Sequence, residues 1–289
     1  MGAGLAVAAG QPGDAAPSVP LRRRYAINRN WLFRARPPAG ADAPGIDESG
    51  FTRVSIPHTN IELPWHSFDD NKYEFISTYR RHFRAPEIWR GNRVFVDFAG
   101  VMTAAKVAIN GYPFEEYRGG YTPFSFELTP RLKYGADNLL AVIVDSTERP
   151  DIPPFGGSID YLTFGGIYRD VELRVVPPLH LANLFAKPVR VLSSDTAVVV
   201  RCYLDGPLEK SVTITAELRD GDRVLKTASS AVTAQAEYHE LTIEDLPGVE
   251  LWDLTHSKLY EVMARLDKGT SSAHASASAK PASRLTASS

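Results

Sequence analysis

A short segment, residues 158–173, places a carboxylate next to aromatic side chains. Its sequence is SIDYLTFGGIYRDVEL, in which Asp160 is followed by Tyr161 and Phe164. A carboxylate accepts hydrogen bonds from hydroxyl groups, and aromatic rings cover apolar surface such as the face of a sugar ring. Taken alone, this spacing favours an aspartate that caps a turn, and sugar contact is the alternative.

Other arrangements that could carry out catalysis are weaker still. The chain has no G-x-S-x-G nucleophile elbow, Walker loop or dinucleotide fingerprint, and its seven histidines lack zinc-site spacing. The acid pairs Asp69-Asp70 and Glu115-Glu116 are adjacent in sequence, so each pair diverges and is interpreted as solvated loop charge. Cys202, within TAVVVRCYLD, is interpreted as a buried strand thiol. We therefore predict no catalytic residue, no metal and no cofactor.

Composition limits the partners. The 289 residues carry a net charge of −2 and show no basic stripe, which argues against nucleic acid as a partner. No apolar run is long enough for a membrane span, so a membrane partner is not expected either.

The first 24 residues allow two interpretations. Residues 3–9, AGLAVAA, are similar to the end of an export signal, but the positively charged start is missing. Residues 1–24 are predicted to be a disordered tail or a remnant of such a signal. The second case implies a periplasmic or secreted protein, and the first leaves a cytoplasmic one.

Residues 25–178 are predicted to form one β-sandwich domain. Alternating apolar positions recur in RVFVDFAG (93–100), AAKVAING (104–111) and IYRDVELRVV (167–176), while NLLAVIVD (138–145) is almost continuously apolar. Asn110-Gly111 is a strong hairpin-turn signal. Short strands separated by turns, with no long amphipathic helix, favour an all-β sandwich or jelly roll.

Residues 179–267 are predicted to form a second, immunoglobulin-like β-sandwich. Pro177-Pro178 breaks the strand pattern, because proline cannot donate to a strand ladder. The following ninety or so residues repeat strand and turn from DTAVVVRCYLD (195–205) to LYEVMARL (259–266). Residues 268–289 are low in complexity and are predicted to be a disordered tail.

In their order and spacing, these motifs resemble the N-terminal part of family 2 glycoside hydrolases, such as β-galactosidases and β-glucuronidases. The matching pieces between about Trp31 and Leu266 are Ile56-Pro57-His58, Tyr79-Arg80, DFAGV (97–101), Asn110-Gly111, GGYTPFSFELT (119–129), GADNLLAVIV (135–144), GGIYRDVEL (165–173) and LWDLTHSKLYEV (251–262). The last piece resembles a strand pair that closes the family's second domain.

The resemblance implies a jelly-roll sugar-binding domain followed by an immunoglobulin-like domain. In the family a (β/α)8 barrel of ~250 residues comes next and carries two catalytic glutamates. No residue here matches either glutamate, so the resemblance implies a chain that is not catalytic alone. Asp160 matches an aspartate that reaches into the barrel's sugar pocket, and Tyr161 adjoins it. The resemblance implies structural roles for Gly165, Gly166, Arg169, which would pair with an acid, and Asp170. His58 is expected to be a packing residue.

Three functional hypotheses remain open from the sequence. The chain is the front portion of a β-galactosidase-like hydrolase that works with a barrel chain, a free-standing carbohydrate-binding module, or a structural pair of sandwiches that associates with itself or another protein. The predicted partners under these hypotheses are a β-linked glycoside, a barrel chain or a second copy of this chain.

Overall fold

The computed structural model describes residues 22–62, 66, 69, 72–153, 163–246, 248–255, 257–268 and 275–277. It is an all-β structure in which a jelly-roll sandwich is followed by an immunoglobulin-like sandwich. All the strand ladders in these residues are antiparallel. The predicted fold class is thereby confirmed, whereas Asp160 and Tyr161 lie outside the described residues.

The first sandwich has two facing sheets. Its strands are β1 (Arg23–Ala26), β2 (Trp31–Ala35), β3 (Thr52–Val54), β4 (Ile76–Arg84), β5 (Arg93–Phe98), β6 (Ala104–Ile109), β7 (Tyr112–Pro113), β8 (Tyr117–Arg118), β9 (Phe124–Glu127), β10 (Asp137–Asp145) and β11 (Val171–Val176). Short 3-10 helices lie at Glu87–Trp89 and Thr129–Arg131. One sheet has the order β1-β11-β5-β9, and the other has the order β3-β2-β4-β10-β6-β7 with β8 also on β6.

The sequence pattern explains why these strands form a sandwich. In β5, Val94, Val96 and Phe98 face the core, which lies between the two sheets and includes the fully buried Trp31. Strand β10 pairs with both β4 and β6, so it is central in its sheet, as its apolar run predicted. Asn110 and Gly111 adopt positive φ angles between β6 and β7, which confirms the predicted hairpin turn.

The second sandwich is smaller. Its strands are β12 (His180–Val189), β13 (Ala197–Asp205), β14 (Val212–Asp220), β15 (Arg223–Val232), β16 (His239–Ile243), β17 (Glu261–Lys268) and β18 (Ala275–Ala277). They form a three-stranded sheet, β12-β13-β16, and a four-stranded sheet, β15-β14-β17-β18. A separate aliphatic core from Leu179 to Leu266 fills the space between them. The two separate cores are consistent with two domains, and the boundaries themselves stay predictions.

Three strand expectations need correction or refinement. Strand β11 begins at Val171, because residues 167–170 are used to contact neighbouring loops. The stretch 251–262 contributes one strand, β17, and the described residues of 251–259 are irregular instead of forming a strand pair. Strand β18 lies within the tail that composition predicted to be disordered and pairs with β17.

Polar and aromatic contacts hold the two sandwiches against each other. Arg93 of β5 forms an ion pair of 2.8 Å with Asp205 of β13. His180 packs 6.0 Å from Phe95 between ring centroids, and Arg22 donates to the carbonyl of Leu181. The junction is therefore a defined contact and not a free tether.

Candidate functional site

The predicted sugar-contact residues belong to the connection between β10 and β11, residues 146–170. Asp160 and Tyr161 themselves lie outside the described residues, so their predicted role stays a prediction. Both flanks of this connection are described and are fixed by different chemistry. The structure therefore shows how the base of the loop is held.

Ion pairs fix the flank that leaves β10. Arg149 contacts Asp151 at 3.2 Å and Glu116 at 3.4 Å. Arg118, on β8, bonds to Glu116 and Asp151 at 2.9 Å each. Ile152 is buried beside them at 1% exposure. A network of several charges holds a loop better than one exposed ion pair, because each side chain is already positioned by another.

Glu116 is therefore more than the solvated loop charge that the sequence suggested. Its side chain is 20% exposed. Burial opposes its ionisation, but hydrogen bonding and the positive charges of Arg118 and Arg149 outweigh this and lower the pKa of Glu116. The carboxylate thus stays charged at neutral pH and keeps the β8 segment tied to the loop.

Two glycines fix the flank that enters β11. The carbonyl of Gly165 accepts a hydrogen bond of 3.0 Å from the backbone amide of Asn60. Gly166 and Met102 form an isolated antiparallel β-bridge, in which each backbone amide donates to the other residue's carbonyl. A Cβ added to Gly165 would lie 2.6 Å from Asn60 Nδ2 and 2.7 Å from Ser146 Oγ. The backbone of the loop therefore passes where no side chain fits, as the resemblance implied.

Gly166 is still more constrained. Its φ is +102°, a conformation that L residues rarely adopt. An added Cβ would lie 2.5 Å from Tyr79 Oη and 2.8 Å from the carbonyl oxygen of His58. The loop thus packs directly against the side chain of Tyr79 and the backbone of His58.

His58 is a packing residue in this structure. Its Nδ1 lies 2.9 Å from Tyr79 Oη, and its ring is 4.8 Å from that of Phe33. Burial lowers the pKa of His58 and raises that of the fully buried Tyr79. Both groups are therefore neutral at pH 7, and they pack together beneath Gly166.

Arg169 does not pair with an acid within the described residues, contrary to the expectation. It donates to the carbonyl of Tyr121 at 3.2 Å and lies 5.3 Å from the ring centre of Tyr168. Asp170 instead accepts a hydrogen bond from Asn28 at 2.8 Å. The reason is that residues 167–170 lie against the 119–121 loop, which offers carbonyl groups.

Exposed aromatic rings surround the loop base. Phe164 is 49% exposed and Tyr121 is 41% exposed. Tyr168 lies 6.5 Å from Tyr121 in an edge arrangement, and its hydroxyl donates to the carbonyl of Gly120. Aromatic groups with one apolar face and one polar handle are suited to contact a sugar or a protein surface.

The remaining candidate residues are not part of a site. Cys202 is fully buried on β13, as predicted, and burial raises the pKa of its thiol to about 12. Within the described residues, no group of three or more His, Cys, Asp or Glu side chains could hold a metal ion. No helix in that part of the chain is both long and apolar enough to cross a membrane.

Sequence reasoning missed most of the residues that hold the loop base. Asn60, Tyr79 and Ser146 come from three distant segments, and Arg118 and Arg149 carry no motif of their own. The available signal was indirect. Two consecutive glycines ahead of a strand indicated a close approach, but not which side chains they approach.

Comparison with known proteins adds an independent observation. Residues 42–177 match the family described as glycosyl hydrolases family 2, sugar binding domain. The matched range contains both flanks of the β10–β11 connection.

Named relatives share this similarity over most of the chain. A β-galactosidase from Thermoanaerobacterium thermosulfurigenes is 34% identical over 84% of this chain and 34% of its own length. A β-glucuronidase from Formosa agariphila is 27% identical over 85% of this chain and 28% of its own length. The crystal structure of Bacteroides uniformis β-glucuronidase superposes with a TM-score of 0.76 at 28% identity, covering 89% of this chain and 32% of that one.

The chain thus spans about a third of the length of the curated relatives it matches. The similarity covers both sandwiches, because it reaches well beyond the sugar-binding domain at residues 42–177.

Proposed function

Because this chain belongs to glycoside hydrolase family 2, we propose that it is the sugar-binding front portion of a β-galactosidase-like hydrolase. In this proposal, Asp160 accepts hydrogen bonds from sugar hydroxyls and Tyr161 covers part of the ring. The catalytic step itself is left to a domain that these sandwiches support. The observation that supports the proposal most is the rigid base of the loop that carries both residues.

A fixed loop base matters because sugars bind through several weak hydrogen bonds. Ordering a loop at the moment of binding costs free energy, so a loop held in advance binds more tightly. The ion pairs of Arg149 and the close contacts of Gly166 hold the two flanks before any sugar arrives. Exposed Phe164 and Tyr121 add aromatic surface beside them.

Calorimetry with defined sugars tests this proposal. We expect the purified chain to bind methyl β-galactoside with a weak, millimolar dissociation constant, and Asp160→Asn to weaken this by about tenfold. Asp222→Asn, which changes an exposed acid of the second sandwich, is the matched control and should bind normally. Equal binding by wild type and Asp160→Asn would remove Asp160 from the site.

The same titration separates sugar classes. Methyl β-glucuronide differs from the galactoside in carrying a carboxylate in place of the hydroxymethyl group and in the configuration at C4, and both β-galactosidases and β-glucuronidases occur among the relatives. We expect the galactoside to bind more tightly, because Asp160 would repel a second carboxylate. Tighter binding of the glucuronide would reassign the substrate class.

We also propose that the sandwiches dock a catalytic barrel. The segment before β17 supports this. Leu254 is 94% exposed on a turn that Asp253 fixes through two hydrogen bonds of 2.7 Å to Thr255. Lys258 pairs with Asp220 nearby at 2.8 Å. Leu259 of the same segment is 47% exposed as well, and exposed apolar side chains mark a contact surface when they form a patch.

Association with a catalytic portion tests the docking proposal. The part of the Thermoanaerobacterium enzyme that this chain does not match should bind it in sedimentation experiments. Leu254→Asp should weaken this complex by about tenfold or more. Leu192→Asp changes a 75% exposed leucine elsewhere in the second sandwich and should have no effect. Absence of a complex, or equal effects of both variants, would contradict the proposal.

A further inference from the structure

A second groove lies on the outer face of the β1-β11-β5-β9 sheet. It encloses about 390 Å³, which is within the range of small-ligand sites. Arg24, Asp97, Ser125, Glu172 and Arg174 line it from four neighbouring strands. Of the lining residues, Asp170 alone belongs to the connection that carries Asp160, and it is the last residue of that connection.

The second sandwich closes one end of this groove. Ala182 of β12 lines it, and Arg22, at its edge, donates to the carbonyl of Leu181. At the other end Pro123 supplies apolar surface, while the ring of Phe124 is stacked on Phe98 and Tyr117 against the first core. Clefts between two domains, with a few convergent polar groups and some apolar lining, are preferred positions for ligands.

The charges of the groove are balanced. Three arginines (Arg22, Arg24, Arg174) face three acids (Asp97, Asp170, Glu172). A balanced set attracts neither phosphate nor a metal cation through its net field. It does present many hydrogen-bond donors and acceptors side by side, and a sugar hydroxyl uses one of each.

The polar groups are also fixed in place. Arg174 holds Asp97 with two bonds of 2.7 and 3.0 Å, and Ser125 donates to the same carboxylate at 2.6 Å. Arg24 bonds Glu172 at 3.0 Å and remains 54% exposed. Donors and acceptors that are already positioned lose little entropy when a ligand binds.

We propose that this groove is a second carbohydrate site, which takes a neutral β-linked oligosaccharide independently of Asp160. The sugar hydroxyls bond to Arg24, Glu172 and Ser125, while a ring face packs on Pro123.

The test uses the full chain carrying Asp160→Ala and titrates it with β-1,4-linked galactotetraose. Binding should persist in this background. Adding Ser125→Trp, which fills the groove, or Arg24→Ala should weaken it by about tenfold. A β-1,4-linked tetra-galacturonic acid, an anionic probe of the same linkage and length, should bind at least about tenfold more weakly than the neutral sugar.

Matched controls exclude general effects of the substitutions. Arg201→Ala removes an exposed arginine that pairs with Glu240 at 2.8 Å, just as Arg24 pairs with Glu172. Ser229→Trp places the same large side chain on the exposed face of β15. Both controls should bind the tetraose like their parent.

The outcomes separate this site from the loop. If Asp160→Ala abolishes all binding while wild type binds, the groove proposal is wrong and the loop proposal stands. If Ser125→Trp abolishes tetraose binding but Asp160→Ala changes nothing, the groove is correct and Asp160 is not a contact. The groove proposal is also wrong if neither groove variant changes tetraose binding, or if the Asp160→Ala chain does not bind the tetraose.

Discussion

The two sandwiches differ most in the polar groups that they bury. In the first sandwich and its loops, the described buried polar side chains are Asn60, Ser77, Thr78, Arg80, Thr103, Asn138 and Ser146. In the second sandwich they are His180, Thr215 and Glu217. Burying a polar group is costly unless it is bonded. The first sandwich, which is the larger of the two, therefore buries more polar side chains that need hydrogen-bond partners.

Several buried polar side chains of the first sandwich contact loops. Asn60 and Ser146 lie against Gly165, and Arg80 bonds the carbonyls of Ala41 and Ala43 in a long loop. Asn60, Ser146 and Arg80 of the first sandwich thus fix loops. The second sandwich has a largely aliphatic core.

The largest expected effect comes from the buried Arg80. Its side chain is 1% exposed and pairs with Glu48 at 2.7 Å. Arg80→Ala should cost about 4 kcal/mol in the free energy of unfolding, because two carbonyls lose their donor and Glu48 keeps His82 but loses its arginine. Urea denaturation measures this. Arg201→Ala removes an exposed ion pair of the second sandwich and should change the urea midpoint very little. Similar losses of stability in both variants would contradict the comparison.

Gly166 should show the next effect. Gly166→Ala adds a Cβ beside Tyr79 and His58 at a positive φ, and should destabilise by about 3 kcal/mol and weaken sugar binding. Gly91→Ala also has a positive φ, +83°, but meets no atom within 4 Å. This control should cost about 1 kcal/mol. If both variants cost the same, the close packing beneath the loop is not important.

The junction between the sandwiches should respond to pH. Burial lowers the pKa of His180 to about 4, against an attraction from Asp205 and with a smaller contribution from Arg93. The folded state therefore prefers neutral His180. Its contribution is complete above the unfolded pKa of 6.5 and is lost as pH falls toward 4.

We expect wild type to lose on the order of 2 kcal/mol more than His180→Gln between pH 7 and pH 4.5. Denaturation curves of both proteins at several pH values measure the difference. Parallel pH profiles would show that His180 does not titrate at the junction.

The smallest effect concerns Cys202. The thiol is fully buried and its pKa is raised to about 12, so thiolate is scarce in the folded protein. A thiol reagent such as DTNB should react at least about a hundredfold more slowly with native than with unfolded protein. Fast labelling of the native chain would mean that the second core opens readily.

Much of the fold could be predicted from the sequence, because alternation and turn signals are local. The strands β5, β6, β10, β13 and β14 lie where the apolar pattern places them. The start of β11 could not be predicted, since residues 167–170 alternate like a strand but bond to His58, Tyr121 and Asn28 instead.

The site could be predicted only in outline. The glycines at 165 and 166 indicated a tight entry to β11, and the structure confirms it. Their partners come from residues 58–60, 79 and 146, and no local pattern reveals such long-range contacts. The expectation that Arg169 pairs with an acid was wrong because it rested on charge alone. The sequence does not show that the carbonyl of Tyr121 lies within hydrogen-bond distance.

The most direct measurement is a titration of isotope-labelled protein with methyl β-galactoside, followed by NMR chemical shifts. The account predicts that shifts concentrate at residues 163–168 and 116–121 of the first sandwich, and that Asp160→Asn removes them. The core strands β13, β14 and β17 should not move. Shifts centred on the second sandwich, or shifts at residues 163–168 and 116–121 that persist in Asp160→Asn, would contradict the division between a sugar-contacting sandwich and a supporting one.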